Sequence, residues 1–123
     1  MSLTQDLTDA NYIITGYESD CVLVNHEAFF TSLIVTSDKL INPWEVTSVD
    51  QLDESNLDDI FKLNPEVVLI GTGETLIQLH PKLIAKFSHQ NVGVETMNTS
   101  AACRTYGILI SEGRRTAAAI IFP

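Results

Sequence analysis

A cysteine and an arginine, Cys103 and Arg104, stand side by side about one turn inside a predicted helix. A helix N-terminus and a neighbouring cation both lower the pKa of a thiol, so this pair has the composition of an activated nucleophile. A thiol nucleophile also needs a base, and the three histidines are distant in the chain: His26, His80 and His89. Cys103 instead borders an apolar stripe, whose members are Ala102, Tyr106, Leu109 and Ile110. A free cysteine in such a place is usually a small buried residue, so we expect Cys103 to be buried and not catalytic.

Two short polar stretches could bind an anion. "GTG" (71–73) and "NTS" (98–100) each follow a predicted strand. If the strands are parallel neighbours, both loops lie at the same edge of a sheet, where open α/β proteins bind ligands. Free amide groups at the helix that Thr99 or Ser100 would cap, together with the guanidinium of Arg104, favour an anion there. The candidate ligand-binding residues are Gly71, Thr72, Gly73, Asn98, Thr99, Ser100 and Arg104.

A purely structural interpretation of the same stretches stays open. Thr99 and Ser100 would then only cap the helix, and Arg104 would pair with an acid or a carbonyl. The glycines would only let the backbone turn tightly at the strand end. Dinucleotide binding is less favoured, because Leu76 occupies the third glycine position of the G-x-G-x-x-G fingerprint and Glu74 would repel a phosphate.

The rest of the composition argues against several kinds of site. Cys21 and Cys103 lie far apart, without the spacing of a zinc site or a disulfide framework. The sequence shows no Ser-His-Asp order and no paired-carboxylate spacing, so we expect no catalytic residue, no metal and no cofactor.

Charge is distributed unevenly along the chain. Residues 1–66 hold 13 acids and 2 bases, and residues 67–123 hold 3 acids and 5 bases, which together give the net charge of −9. An acidic chain repels a polyanion, so we expect no nucleic-acid binding. The acidic half is either a solvated face that keeps the protein soluble or a surface for a basic partner. The N-terminus lacks the features of a targeting peptide and no apolar run could span a bilayer, so we expect a cytoplasmic protein.

A single α/β domain, residues 1–123, has to position these residues. Residues 11–45 predict a β-meander, because β-branched and aromatic runs alternate with short polar turns. Its predicted strands are 11–17, 20–26, 29–37 and 39–44. Residues 48–123 predict an alternating α/β portion. Its predicted elements are a helix within 48–64 capped by Ser55, a strand at 66–70, a helix from Pro81 with an apolar stripe of Leu83, Ile84 and Phe87, a strand at 92–97, a helix that ends at Glu112 and a strand at 116–122. The apolar strands 66–70 and 92–97 predict adjacent, parallel, central strands.

The second half of the chain resembles a known family. The segments "PEVVLIGTG", "HPKLIAKF" and "NVGVETMNTSAACRTYGILISEGRRTAAAII" are similar to the family that includes mitochondrial complex I (NADH dehydrogenase) assembly factor 3. The adipogenesis-associated domain protein of animals looks like a more distant member. The resemblance implies a three-layer α/β fold, with a mixed central sheet flanked by helices and an added N-terminal β-hairpin. It implies no established enzymatic activity and no cofactor. Gly107 departs from the asparagine that family members usually carry.

Two functions follow as hypotheses. The first is a non-enzymatic binding or assembly module with a protein partner, linked by the resemblance to assembly of a respiratory complex. The alternative is a small-molecule (anion) binding protein or an enzyme that uses the crevice between residues 71–73 and 98–104. The sequence indicates neither the partner nor the oligomeric state.

Overall fold

The computed structural model describes residues 10–123, and five of its eight strands form one mixed sheet. The strands are β1 (Ile14–Tyr17), β2 (Val22–Val24), β3 (Glu27–Phe29), β4 (Leu33–Val35), β5 (Leu40–Ile41), β6 (Val67–Gly71), β7 (Gly93–Met97) and β8 (Thr116–Ile120). The helices are α1 (Glu54–Phe61), α2 (Pro81–His89) and α3 (Thr99–Ser111), with a short 3-10 turn at Val49–Gln51. The prediction that no targeting peptide is present concerns residues 1–9, which lie outside the described residues.

The large sheet has the order β5-β4-β8-β6-β7, and the small antiparallel sheet has the order β1-β2-β3. β6 pairs in parallel with both β7 and β8, whereas β4 runs antiparallel to β8. These pairings confirm the predicted mixed α/β fold and the N-terminal meander.

Side chains that alternate along the strands of the large sheet build two separate cores. Ile70 and Ala119 belong to the core shared with α1 and α2, while Leu69 and Ala118 belong to the core shared with α3 and β2. This alternation is the expected consequence of strand geometry. The central sheet is therefore covered on both faces, as a three-layer fold requires.

The predicted strand 29–37 is wrong as a single element. The chain leaves β3 at Phe29 and joins the other sheet at Leu33. Between them, the buried hydroxyl of Ser32 accepts a hydrogen bond of 2.8 Å from the amide of Phe122. The composition of the run correctly favours strand structure, but it carries no signal that the pairing partner changes at residues 30–32.

The prediction that strand 92–97 is central is also wrong. β7 is adjacent and parallel to β6, as expected, but it forms an edge of the sheet. Gly93 and Glu95 are exposed and Val94 is half-buried, which is the alternation of a strand with one covered face. The fully buried central strand is β8, between β4 and β6.

Three further local predictions need correction. Asp53, not Ser55, caps α1, and Asp53 and Asn56 form a reciprocal capping box. Asn98, rather than Thr99 or Ser100, caps α3. Ile84 belongs to the predicted apolar stripe of α2 but is exposed, because the helix packs on the sheet through Phe87 and Leu83.

Candidate functional site

The two polar loops lie in direct contact. The amide of Gly73 donates a hydrogen bond of 2.9 Å to Oγ1 of Thr99, and the amide of Thr99 donates one of 2.8 Å to the carbonyl of Gly73. The parallel pairing of β6 and β7 brings their carboxyl ends to the same edge of the sheet. Residues 71–73 and 98–100 therefore come together as the sequence predicts.

A cavity of about 280 Å³ opens beside these loops, and we refer to it as the hairpin pocket. Its lining residues are Tyr17, Glu18, Ser19, Gly73, Glu74, Asn98, Thr99 and Ser100. Residues 17–19 form the tip of the β1–β2 hairpin, which the sequence analysis did not assign to the site. The two-residue gap at Glu18 and Ser19 indicates a hairpin, but it gives no information on where the hairpin packs.

Most of the amide groups expected to attract an anion are already bonded within the protein. Oδ1 of Asn98 accepts a hydrogen bond of 2.9 Å from the amide of Ala101. The amide of Thr99 is taken by Gly73, and the hydroxyl of Ser100 donates to Oδ1 of Asn98 at 3.0 Å. A helix N-terminus binds anions through free amide groups, so these contacts reduce the capacity of this one.

The charged groups of the hairpin pocket also oppose an anion. Glu18 and Glu74 are the charged residues among its lining residues, and both are acids. Arg104 does not line the pocket, because its Nη1 donates a hydrogen bond of 2.8 Å to the phenol oxygen of Tyr17. The polar side-chain groups that line the pocket are carboxylates, hydroxyls and one amide. Together they suit a ligand that donates hydrogen bonds better than they suit an anion.

Gly71 and Thr72 have structural roles in this loop. A Cβ on Gly71 would lie 2.9 Å from Cδ1 of Ile120 and 3.4 Å from Cβ of Ala102. Oγ1 of buried Thr72 accepts from the amide of Ile77 at 3.1 Å and lies 2.7 Å from the carbonyl oxygen of Thr75, to which it donates. The first glycine lets α3 approach the sheet, and the threonine holds the turn that follows β6.

Cys103 is buried, as predicted. Its side chain belongs to the core between α3 and the sheet. Burial raises the pKa of the Cys103 thiol from 9.0 to about 11, against the opposing effect of the Arg104 charge. Only a minute fraction of this thiol is ionised at neutral pH, and the thiolate is the nucleophilic form.

Neither a metal centre nor a membrane-spanning helix is present in residues 10–123. No three side chains of His, Cys, Asp or Glu come together there as metal ligands would. No helix in the same range combines the length and the apolar character needed to cross a bilayer.

Family membership follows from the sequence over the whole fold just described. The pattern of the family described as "Protein of unknown function (DUF498/DUF598)" matches residues 14–121. The chain belongs to this family. A cattle (Bos taurus) relative, NADH dehydrogenase (ubiquinone) 1 alpha subcomplex assembly factor 3, is 30% identical over 125 residues. The match spans 100% of this chain and 67% of that relative, so about a third of the relative has no counterpart here.

Bacterial proteins of the same size match over nearly their full length. The "13 kDa major membrane protein" of Francisella tularensis subsp. holarctica is 26% identical over 122 residues, covering 98% of this chain and 99% of that protein. A crystal structure of a Bordetella parapertussis protein is 33% identical, with a TM-score of 0.86, and covers 93% of this chain and 98% of that one. The resemblance to the family of complex I assembly factor 3 is thus confirmed.

Proposed function

We propose that this chain is a non-enzymatic assembly module that binds a protein partner and assists assembly of respiratory complex I. The observation that carries the proposal is the match of the whole chain to complex I assembly factor 3 of cattle at 30% identity. Membership of the same family supports the same role for this chain.

Features of the surface agree with a protein-binding role. Ile108 on α3 is 58% exposed and Phe30, after β3, is 60% exposed. Ile108 lines an open groove of about 490 Å³ between α3 and β1, together with Ile14 and Tyr17. Large apolar side chains around a groove are typical of interaction sites when they cluster. The acidic first half of the chain would favour a partner surface that is basic.

A second candidate function is binding of a small anion in the crevice between residues 71–73 and 98–104. The cavity of about 280 Å³ at this place favours it, whereas the carboxylates of Glu18 and Glu74 count against it. Titration with sulfate, phosphate and acetate separates the two candidates. Amide NMR shifts at residues 73 and 98–100 at millimolar anion, reduced in Arg104→Ala, would favour the second.

The leading proposal is tested in cells of the source organism that lack this chain. Assembled complex I in their membranes, measured on native gels and by NADH oxidation, should fall and should return when the wild-type chain is supplied. Cross-linking of the supplied chain should capture a subunit or another assembly protein of the complex. Unchanged amounts of assembled complex, with no such cross-link, would overturn the proposal. Location is a separate prediction: we expect the chain in the cytoplasmic fraction.

A further inference from the structure

The outer edge of β7 carries unpaired backbone groups. The amide of Gly93 donates to the carbonyl of Glu66, and the carbonyl of Met97 accepts from the amide of Thr72. Backbone groups along a strand point alternately to its two sides, so residues 93, 95 and 97 face β6. The N–H and C=O groups of Val94 and Thr96 therefore point away from the sheet. In the described part of the chain β7 has β6 as its partner strand, and its other side is open.

A groove with a mixed polar and apolar lining runs along this edge, and we call it the edge groove. It has a volume of about 320 Å³. Its lining residues are Leu76, Gln78, Leu79, Ile84, Val94, Glu95 and Thr96. Leu76 is 51% exposed and Ile84 is 41% exposed, although both are large apolar side chains. The groove and the open backbone groups lie side by side, which is the arrangement that an added strand requires.

The opposite face of the same edge carries a negative charge. Glu95 is exposed. Along β7 its side chain alternates with those of Val94 and Thr96, so it projects from the other face of the sheet. An incoming strand would therefore meet apolar side chains on one face and a carboxylate on the other.

Charge argues against a second copy of this chain as the occupant. In an antiparallel pair that uses the open groups of both Val94 and Thr96, residue 94 of one copy lies opposite residue 96 of the other. Glu95 then lies directly opposite Glu95 of the second copy, and like charges in that position are destabilising. Each copy also carries a net charge of −9.

We infer that the open edge of β7 docks an extended segment of a basic protein partner. The segment pairs with Val94 and Thr96 through its backbone, places apolar residues in the edge groove and places Lys or Arg opposite Glu95. This inference rests on the proposed protein-binding function and specifies its surface and the chemistry of its partner. Apolar and basic residues should therefore alternate in the docked segment, since side chains on an added strand alternate between the two faces.

The test uses two synthetic peptides, one of alternating Lys and Val residues and one of alternating Glu and Val residues. The lysine peptide should shift the amide NMR signals of residues 93–97 and slow hydrogen exchange at Val94 and Thr96. The glutamate peptide should do neither. Glu95→Lys should weaken binding of the lysine peptide about three- to tenfold, the scale of a cross-strand charge reversal. Glu112→Lys, an equal change of charge at an exposed residue after α3, should change it less than about twofold.

A backbone variant tests strand pairing separately from charge. Thr96→Pro removes an N–H that bonds to no strand among the described residues, and proline is tolerated on edge strands. It should abolish peptide binding while the remaining amide spectrum shows a folded protein. Thr96→Val keeps the N–H and should still bind.

Several results would overturn the inference. These are equal binding of both peptides, equal effects of Glu95→Lys and Glu112→Lys, or shifts confined to residues outside the edge. Absence of peptide binding together with dimerisation of Glu95→Ala would show that Glu95 serves to prevent self-pairing. If cross-links to complex I proteins persist unchanged in Thr96→Pro, the proposed function stands and this docking edge is wrong. If cells that lack the chain lose assembled complex I but the supplied wild-type chain cross-links to no protein, the result instead contradicts the proposed protein-binding function.

Discussion

Nη1 of Arg104 lies 2.8 Å from the phenol oxygen of Tyr17, to which it donates a hydrogen bond. The contact joins α3 to β1 and helps to place the hairpin tip over the loops that follow β6 and β7. Within residues 10–123, Arg104 therefore pairs with neither an acid nor a carbonyl, the two structural partners expected from the sequence. Arg104 thus contacts Tyr17, which lines the hairpin pocket, but does not itself line the pocket.

The Arg104–Tyr17 contact should contribute little to stability, because both side chains are partly exposed to water. We expect Tyr17→Phe to lower the free energy of unfolding by less than about 1 kcal/mol. A double-mutant cycle with Arg104→Ala, measured by urea unfolding, isolates the pair. A coupling energy above about 2 kcal/mol would contradict this view of the contact.

A side chain at Gly71 should lower the stability of the fold. A methyl group there would lie 2.9 Å from Cδ1 of Ile120, and overpacking of this kind costs about 1–3 kcal/mol. Urea unfolding of Gly71→Ala measures the loss. Gly107→Ala is the matched control, because no described residue outside its own helical turn lies within 4 Å of the added atom and alanine favours a helix by about 0.5–1 kcal/mol. Equal effects of the two substitutions would show that crowding at Gly71 is unimportant.

Cys103 should react slowly with thiol reagents at neutral pH. The Cys21→Ala variant leaves it as the one cysteine of the chain, so its labelling rate can be measured without interference. Rapid labelling in the folded state would contradict a pKa raised to about 11 by burial.

The same raised pKa predicts a loss of stability in alkali. The folded value lies above the ordinary 9.0, so the neutral thiol stabilises the fold fully below pH 9 and this contribution is lost as pH rises through about 11. Its size is on the order of 2–3 kcal/mol. Cys103→Ala should flatten the decline of unfolding free energy between pH 9 and 11, while ionising tyrosines affect both proteins alike. An unchanged slope would show that Cys103 does not cause the decline.

Tyr106 should matter through its hydroxyl as well as its ring. The hydroxyl donates a hydrogen bond of 3.0 Å to the backbone carbonyl of Tyr12, which attaches the start of the meander to α3. Tyr106→Phe should lower the free energy of unfolding by about 1 kcal/mol. Tyr12→Phe keeps the accepting carbonyl and should lower the free energy of unfolding by a smaller amount. Urea unfolding compares the two, and a larger loss from Tyr12→Phe would contradict the assignment.

The sequence predicted best those features that depend on neighbours along the chain. The apolar stripe of α3 and the burial of Cys103 follow from helical spacing alone, and both are observed. One of the short polar turns predicted within the meander is likewise observed between β2 and β3, where Asn25 and His26 have positive φ angles. Periodicity and turn chemistry are local properties, so one sequence is enough to detect them.

Features that depend on distant pairing were predicted less well. The mostly apolar "VGVETM" predicts a central strand, yet the strand order places β7 at an edge, where Glu95 is exposed. The position of Tyr17 and Glu18 beside the loops after β6 and β7 depends on how the hairpin packs against α3. Those contacts join residues more than eighty positions apart, and no local pattern encodes them.

The position of β8 also has a consequence for how the protein is made. β8 lies between β4 and β6, so residues 116–120 complete a sheet whose other strands are synthesised earlier. Until those residues leave the ribosome, no strand joins β4 to β6. Both hydrophobic cores then lack the side chains that β8 contributes to them. The central sheet should therefore close after β8 has emerged from the ribosome, and the protein should fold more slowly than a helical bundle of similar length, because its decisive contacts are non-local.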